Sequence, residues 1–202
     1  VAKSVVLLNS GGLDSAMLAA KLQRDGFEVH SLYVDTRQVN TIAAQAAAAE
    51  TARRYCASHR VILVDYGVTS AFWETEAGVT LYADALDKSD VSMSIGGNHL
   101  ALNASVGVAY APYVDALEVY GAWRQEIDQS FIDRYNEING FIENRRFRAT
   151  LVTPVFALGT YEDVATFCGT TIADFAYTYS CKMGDTPCGR CARCIARAAA
   201  GL

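Results

Sequence analysis

The stretch Lys3-Ser-Val-Val-Leu-Leu-Asn-Ser-Gly-Gly-Leu-Asp-Ser15 decides the fold. Its first half is an apolar, β-branched run with the composition of a buried strand. It breaks at Ser10-Gly11-Gly12, and Ala16 to Gln23 then reads as a helix. A strand that turns through glycines into a helix N-terminus makes an anion site. The glycines let the backbone approach a ligand, and the first-turn N–H groups point at it along the positive end of the helix dipole. The hydroxyls of Ser10 and Ser15 add donors. Asp14 is out of place beside a phosphate unless a cation stands between them, which points to Mg²⁺ bridging a polyphosphate.

The rest of the N-terminal half repeats the pattern. Glu28 to Asp35 reads as a second buried strand, Thr41 to His59 as an alanine-rich helix, and Arg60 to Asp65 as a third strand. This alternation predicts a parallel, doubly wound α/β sheet covered on both faces. Ligands in such sheets sit beyond the carboxyl ends of the strands, so Asn9, Asp35 and Asp65 are expected on one rim with the glycine turn. Tyr66 to Gly97 has no sustained period and reads as an excursion over that rim, a lid or a dimer contact. Asn98 to Ala111 reads as a helix whose small residues suit close packing on the sheet. Val114 to Tyr120 is expected as a strand, Gln125 to Asn144 as an amphipathic helix, Phe147 to Val152 as a short strand and Tyr161 to Phe167 as a short helix.

Composition narrows the function. The 202 residues are 51% hydrophobic and 19% charged, as in a soluble globular protein. No apolar run approaches the roughly 20 residues of a membrane span. The first residues lack the basic start and cleavage site of a signal peptide, so a cytoplasmic chain is expected. A net charge of −5 argues against a broad nucleic-acid surface and for a small-molecule substrate.

The tail carries the second motif, Cys181-x6-Cys188-x2-Cys191-x2-Cys194. Two overlapping CxxC units form a knuckle whose thiolates can converge on Zn²⁺. Lys182, Arg190, Arg193 and Arg197 would offset the negative charge of a four-thiolate centre. Disulfides are disfavoured in a cytoplasmic chain, and an iron–sulfur cluster is the other rival. A closed four-thiolate site has no open coordination position, so its role is structural. Cys56 and Cys168 lie in apolar contexts and read as core thiols. His30 reads as a satisfied core residue, His59 as a helix-end residue and His99 as a cap. The expected organisation is one domain over 1–178 with the metal-binding tail, 179–202, packed on it.

The string SGGLDS resembles the pyrophosphate loop of the ATP pyrophosphatases (PP-loop superfamily), which cleave ATP between its α and β phosphates to adenylate a substrate. With Ser180-Cys-Lys-Met-Gly-Asp-Thr-Pro-Cys-Gly-Arg-Cys-Ala-Arg-Cys194 at the other end, the chain resembles the 7-cyano-7-deazaguanine synthase (QueC) family over nearly its full length. Leu32 to Gln38, Gly96-Gly97-Asn98, Val119 to Ala122 and Val152-Thr-Pro154 resemble further segments of that family. The resemblance implies adenylation of 7-carboxy-7-deazaguanine with ATP and Mg²⁺, attack by ammonia, and a second activation that dehydrates the amide to a nitrile. It also implies a homodimer. Ser10, Gly11, Gly12, Asp14 and Ser15 would hold the pyrophosphate and its metal. The backbone of Leu32 to Val34 would contact adenine, and Gly96-Gly97 would form a second nucleotide-facing loop.

The chain also departs from the family. Asp35-Thr-Arg-Gln-Val-Asn40 stands where the family usually reads Asp-Tyr-Gly-Gln-Arg-His, and Gly97 replaces a loop arginine. A shorter Trp123-Arg-Gln-Glu-Ile-Asp128 replaces the substrate loop, and no lysine follows the Thr-Pro pair. Arg37 or Arg124 is therefore expected to supply a phosphate contact. Asp35, Gln38, Glu126 and Asp128 are candidates for the guanine-like edge and Trp123 for stacking on its ring. The bland alternative makes these residues caps and surface positions of the next helix. The altered loop also admits a larger acceptor, a protein amino group, as in phage-defence relatives. A tRNA-thiolating enzyme is disfavoured by the charge and the committed cysteines. A degenerate nucleotide-binding module is the non-enzymatic alternative.

Overall fold

A computed structural model describes residues 2–36, 38–64, 91–124, 129–140 and 148–202, with 91–99 described by backbone alone. The apolar run at the N-terminus is β1 (Ser4–Leu8), and the glycine turn leads into α1 (Leu13–Arg24). The chain continues through β2 (Glu28–Asp35), α2 (Thr41–Tyr55) and β3 (Ser58–Leu63). Next come α3 (Val91–Tyr110), β4 (Glu118–Gly121), α4 (Gln129–Gly140), β5 (Thr150–Val152), α5 (Tyr161–Cys168) and α6 (Ala192–Ala199). All five strands are parallel, in the order β3-β2-β1-β4-β5. Among the described residues no helix is long and apolar enough to cross a membrane.

Strand order reverses between β1 and β4, and alternation along β1 sends its side chains to two cores. Val5 and Leu7, with Val29, pack under Leu18, Ala19 and Leu22 of α1. Val6 and Leu8, with Leu32, Val119 and Leu151, pack under Ala104 and Val108 of α3. A Cβ at Gly107 would come within 2.7 Å of Val119 Cγ1, so glycine lets α3 lie close to the sheet. The outer edge of β5 is sealed by a side chain of α4. Asn136 Oδ1 accepts from Leu151 N–H at 2.8 Å and its Nδ2 donates to Leu151 O at 2.9 Å. This pairing satisfies the Leu151 backbone groups on the edge of β5, one way in which native sheets blunt an edge.

Several expected boundaries move. α2 stops at Tyr55, because the Ala57 N–H is taken by Val29 O at 2.8 Å as β3 begins. His59 is therefore a strand residue and not a helix end. The segment before β4 is a 3₁₀ turn (Ala111–Val114), started by Pro112 and closed by a left-handed Asp115 at φ 51°. Gly96 and Gly97 lie inside α3, not in a loop before it. Asp65, most of the rim excursion (residues 65–90), and residues 125–128 and 141–147 lie outside the described residues.

Candidate functional site

Doubly wound sheets bind ligands where strand order reverses, beyond the carboxyl ends of the flanking strands. Here that point lies between β1 and β4, and the chain supplies Asn9 to Ser15 on one side and Ala122 to Arg124 on the other.

Asn9 organises the turn. It is 1% exposed, and its Nδ2 donates to Ala48 O at 2.9 Å and to Ser31 Oγ at 3.0 Å. Its Oδ1 accepts from Gly11 N–H at 3.1 Å and from Ser15 Oγ at 3.4 Å. Ser31 Oγ also pairs with His59 Nδ1 at 2.9 Å, so a buried polar chain runs from the turn into the sheet. Replacing Asn9 with Ala leaves the Gly11 N–H and Ser31 Oγ without that partner and takes from the Ala48 carbonyl its second donor. It is expected to cost about 3 kcal/mol of stability, measured by urea denaturation. Asn9→Asp is expected to fare no better, because it turns the Nδ2 donor into an acceptor facing Ala48 O.

Gly11 sits at φ 75° with its Cα pressed against α2, where a Cβ would overlap the Ala44 carbonyl. Gly12 is the N-cap of α1, and no side chain caps that end. The glycine turn thus presents helix N–H groups flanked by Ser10 and Ser15, whose hydroxyls lie 3.4 Å apart. Ser15 donates to Gly12 O at 2.9 Å, which fixes its rotamer in the first turn.

Asp14 is drawn into an arginine pair. Its Oδ2 accepts from Arg124 Nε at 3.0 Å and lies 3.9 Å from Arg193 Nη1. Arg124 is itself fixed, with Nη1 donating to Gly159 O at 2.8 Å and the guanidinium 4.4 Å over the Tyr161 ring.

The other candidates are dispersed. Asp35, at the end of β2, accepts from Thr41 Oγ1 at 3.3 Å, and Gln38 Nε2 donates to Thr36 Oγ1 at 3.0 Å on the surface. Trp123 packs against Gly121 and the core beneath α3. Leu32 is fully buried, and its carbonyl takes Asn9 N–H at 2.9 Å, extending the β1–β2 ladder one residue past β1. By strand alternation the Val34 N–H and C=O face the same side, past the point where β1 turns away. Gly96 and Gly97 belong to the first half of α3. Arg37, Glu126 and Asp128 lie outside the described residues.

The four tail cysteines converge. Their sulfurs all lie within 4.8 Å of one another, with Cys188 and Cys194 4.0 Å apart, and every cysteine is a free thiol. Tetrahedral Zn–S bonds of about 2.3 Å require S···S separations of about 3.8 Å, which this set approaches. N–H groups of Met183 and Cys191 donate to the sulfurs of Cys181 and Cys188 at 3.4 and 3.3 Å. Backbone N–H groups, first those of Arg190 and Cys191, lower the Cys188 thiol to about 6, in the direction that favours the thiolate. By contrast, burial pushes Cys56 up to about 12 and Cys168 to about 11, which makes them inert.

The knuckle is fastened to the glycine turn. Tyr179 N–H donates to Gly11 O at 2.9 Å, and Asn40 Nδ2 to Cys181 O at 2.8 Å. Asp185 Oδ1 accepts Ala43 N–H at 2.8 Å and so caps α2, whose own N-cap side chain is engaged with Cys181. Sequence reasoning missed Asp185, the Arg193 link and the Ser31–His59 chain. Each joins residues remote in sequence, and no local pattern announces them.

Fold and site together define an α/β protein of the PP-loop ATP pyrophosphatase type. NMN synthetase from Francisella tularensis matches with a TM-score of 0.51 at 18% identity, over 87% of this chain and 65% of that one. NH3-dependent NAD synthetase from Campylobacter jejuni subsp. jejuni matches with a TM-score of 0.50 at 20% identity, over 88% and 70%. At the level of the family, residues 3–201 match Queuosine biosynthesis protein QueC, and the chain belongs to that family. It is similar to the 7-cyano-7-deazaguanine synthase of Thiobacillus denitrificans, 28% identical over 95% of this chain and 90% of that one. The same enzyme of Methylobacillus flagellatus is 27% identical over 100% and 94%.

Proposed function

We propose that this chain uses ATP and Mg²⁺ to activate the carboxylate of 7-carboxy-7-deazaguanine, or a close deazapurine acid, for attack by ammonia. The observation that carries the reading is the uncapped N-terminus of α1 behind Gly11 and Gly12, placed at the strand-order reversal in a member of the QueC family. A carboxylate is a poor electrophile until one oxygen joins a leaving group. Attack of that oxygen on the α-phosphorus of ATP expels pyrophosphate and gives an acyl-adenylate. Ammonia then displaces AMP to leave the amide. A second ATP activates the amide oxygen, and loss of AMP with the two N–H protons yields the nitrile.

The protein's work in this scheme is alignment and charge neutralisation. Ser10, Gly11, Gly12 and Ser15 receive the departing pyrophosphate, with Asp14 and the arginine pair setting the local charge. The Val34 backbone, beside Leu32, faces the adenine edge. Trp123 stands at the end of β4, on the substrate side. Zn²⁺ fits the donor set of Cys181, Cys188, Cys191 and Cys194, and closes the knuckle as a structural centre.

The deciding experiment is AMP release from ATP, Mg²⁺ and 7-carboxy-7-deazaguanine, with and without ammonia, with the base followed by mass spectrometry. AMP and nitrile together are the expected result. AMP without nitrile, and a deazaguanine–protein conjugate once a protein is added, would reassign the acceptor to a protein amino group. No AMP at all would overturn the reading.

A further inference from the structure

We propose that His59 is a positioning residue of the phosphate loop: neutral and protonated at Nε2, it takes the Ser31 hydroxyl proton and through Ser31 holds Asn9 under the glycine turn. The inference rests on the reading of Ser10 to Ser15 as a polyphosphate loop.

The direction of each hydrogen bond in this chain is forced. Ala48 O can only accept and Gly11 N–H can only donate, so the Asn9 amide stands one way round, with Nδ2 toward Ala48 and Ser31. Nδ2 has no lone pair, so Ser31 Oγ accepts from it at 3.0 Å and the Ser31 proton must point elsewhere. Ser31 is fully buried and stands opposite His59 in the β2–β3 register. Among the described residues the other partner of its hydroxyl is His59 Nδ1, at 2.9 Å. Nδ1 therefore presents its lone pair, and the ring proton sits on Nε2. Nε2 is buried without a partner, which leaves one group unmatched. The opposite tautomer would leave two, the Nε2 lone pair and a stranded Ser31 proton.

Protonation of His59 undoes this order. Nδ1 turns from acceptor to donor, and Ser31 then faces two donors with its own proton unmatched. Asn9 is loosened at Nδ2, and its Oδ1 is what holds Gly11 N–H at 3.1 Å and Ser15 Oγ at 3.4 Å. Burial lowers the pKa of His59, with no charged neighbour contributing. The charged side chains of α2, Glu50, Arg53 and Arg54, pair with one another at the surface, and Tyr55 turns to Phe175. On the sheet face that carries His59, burial pushes Tyr33 and Cys56 up to about 12, and Asp35 lies at the far end of β2 beside Thr41. His30 turns to Ser58 on the opposite face. His59 is thus the group here whose charge changes near neutrality.

The test is ¹⁵N NMR of the His59 imidazole in the full chain, with and without pyrophosphate and Mg²⁺, beside pyrophosphate binding measured against pH. At neutral pH the ring is expected in its Nε2-protonated form. Its folded value lies below the ordinary 6.5, so binding is complete above that pH and falls as pH drops through the folded value. Protonation is expected to weaken pyrophosphate about 10-fold, the scale of one hydrogen bond. By reciprocity, bound pyrophosphate moves the His59 midpoint down by about one pH unit. His59→Ala is expected to bind about 10-fold more weakly at neutral pH. His59→Asn, whose Oδ1 stands on Cγ as Nδ1 does, recovers most of that loss. It lacks the imidazole's titration, so the pH dependence it keeps belongs to the ligand. A ring protonated at Nδ1 overturns the inference, and so does a midpoint that bound pyrophosphate leaves unmoved. His59→Asn with the parent's full pH profile also overturns it. A parent chain that binds neither ATP nor pyrophosphate refutes the loop reading first and this inference with it.

Discussion

Gly11→Ala is expected to lower AMP release by at least about 100-fold, the scale on which a displacement of about 1 Å in a positioning loop acts. Two costs coincide at this residue. Its φ of 75° is a conformation that a side chain disfavours, and a Cβ there would overlap the carbonyl of Ala44 in α2. Relief requires the turn to lift away from α2. That movement breaks the Gly11 N–H bond to Asn9 and the Tyr179 bond to Gly11 O, displacing the donors that receive pyrophosphate. Gly26 is the internal control. It has φ 88° with nothing within 4 Å, so Gly26→Ala should cost about 1 kcal/mol from conformation alone and leave AMP release intact. Equal activity of the Gly11→Ala protein and the parent would show that the turn does not position the phosphates.

The parts legible in the sequence are those that local chemistry specifies. β1 is a continuous apolar run after Ser4, and β2, apolar at Val29 and from Leu32 to Val34, was expected and found at Glu28 to Asp35. The strand–helix alternation pointed to the parallel sheet, because parallel neighbours need a long crossover connection, usually a helix. The knuckle was legible because four thiols at this spacing have few other uses. What failed depended on competition between local and tertiary preference. Two adjacent glycines read as a loop, each costing about 1 kcal/mol in a helix. Yet α3 runs from Val91 through Gly96 and Gly97, and its second half is buried under the sheet at Leu100, Ala104 and Val108. Asp14 and Arg193 are 179 positions apart, and only topology brings them together. The charge pattern around SGGLDS pointed to a cation at Asp14, and the folded chain also sets two guanidiniums beside that carboxylate.

The knuckle's position gives the other large effect. Cys194→Ser, or removal of zinc with a chelator, is expected to abolish AMP release and to unfold the tail. Structural zinc contributes about 10–16 kcal/mol to the folding of small zinc domains, comparable with the total stability of a typical domain, about 5–15 kcal/mol. Without the metal, the four cysteines leave two buried residues, Cys181 and Cys194, in a segment tied to α2 through the Asn40 and Asp185 contacts. Those contacts are also what the nucleotide site leans on. Loss of the Tyr179 bond to Gly11 O loosens the turn, and loss of Asp185 at Ala43 uncaps α2, the helix against which Gly11 packs. The measurement is zinc content and AMP release on the same samples, with amide exchange at Tyr179 and Ala43 as the local readout. Both amides should lose protection together with the metal. Cys56→Ser, at a thiol outside the cluster, should keep one zinc per chain and its activity. A metal-free chain that still releases AMP at the parent rate, with both amides protected, would show that the knuckle is a passenger on the fold and not a brace for its phosphate loop.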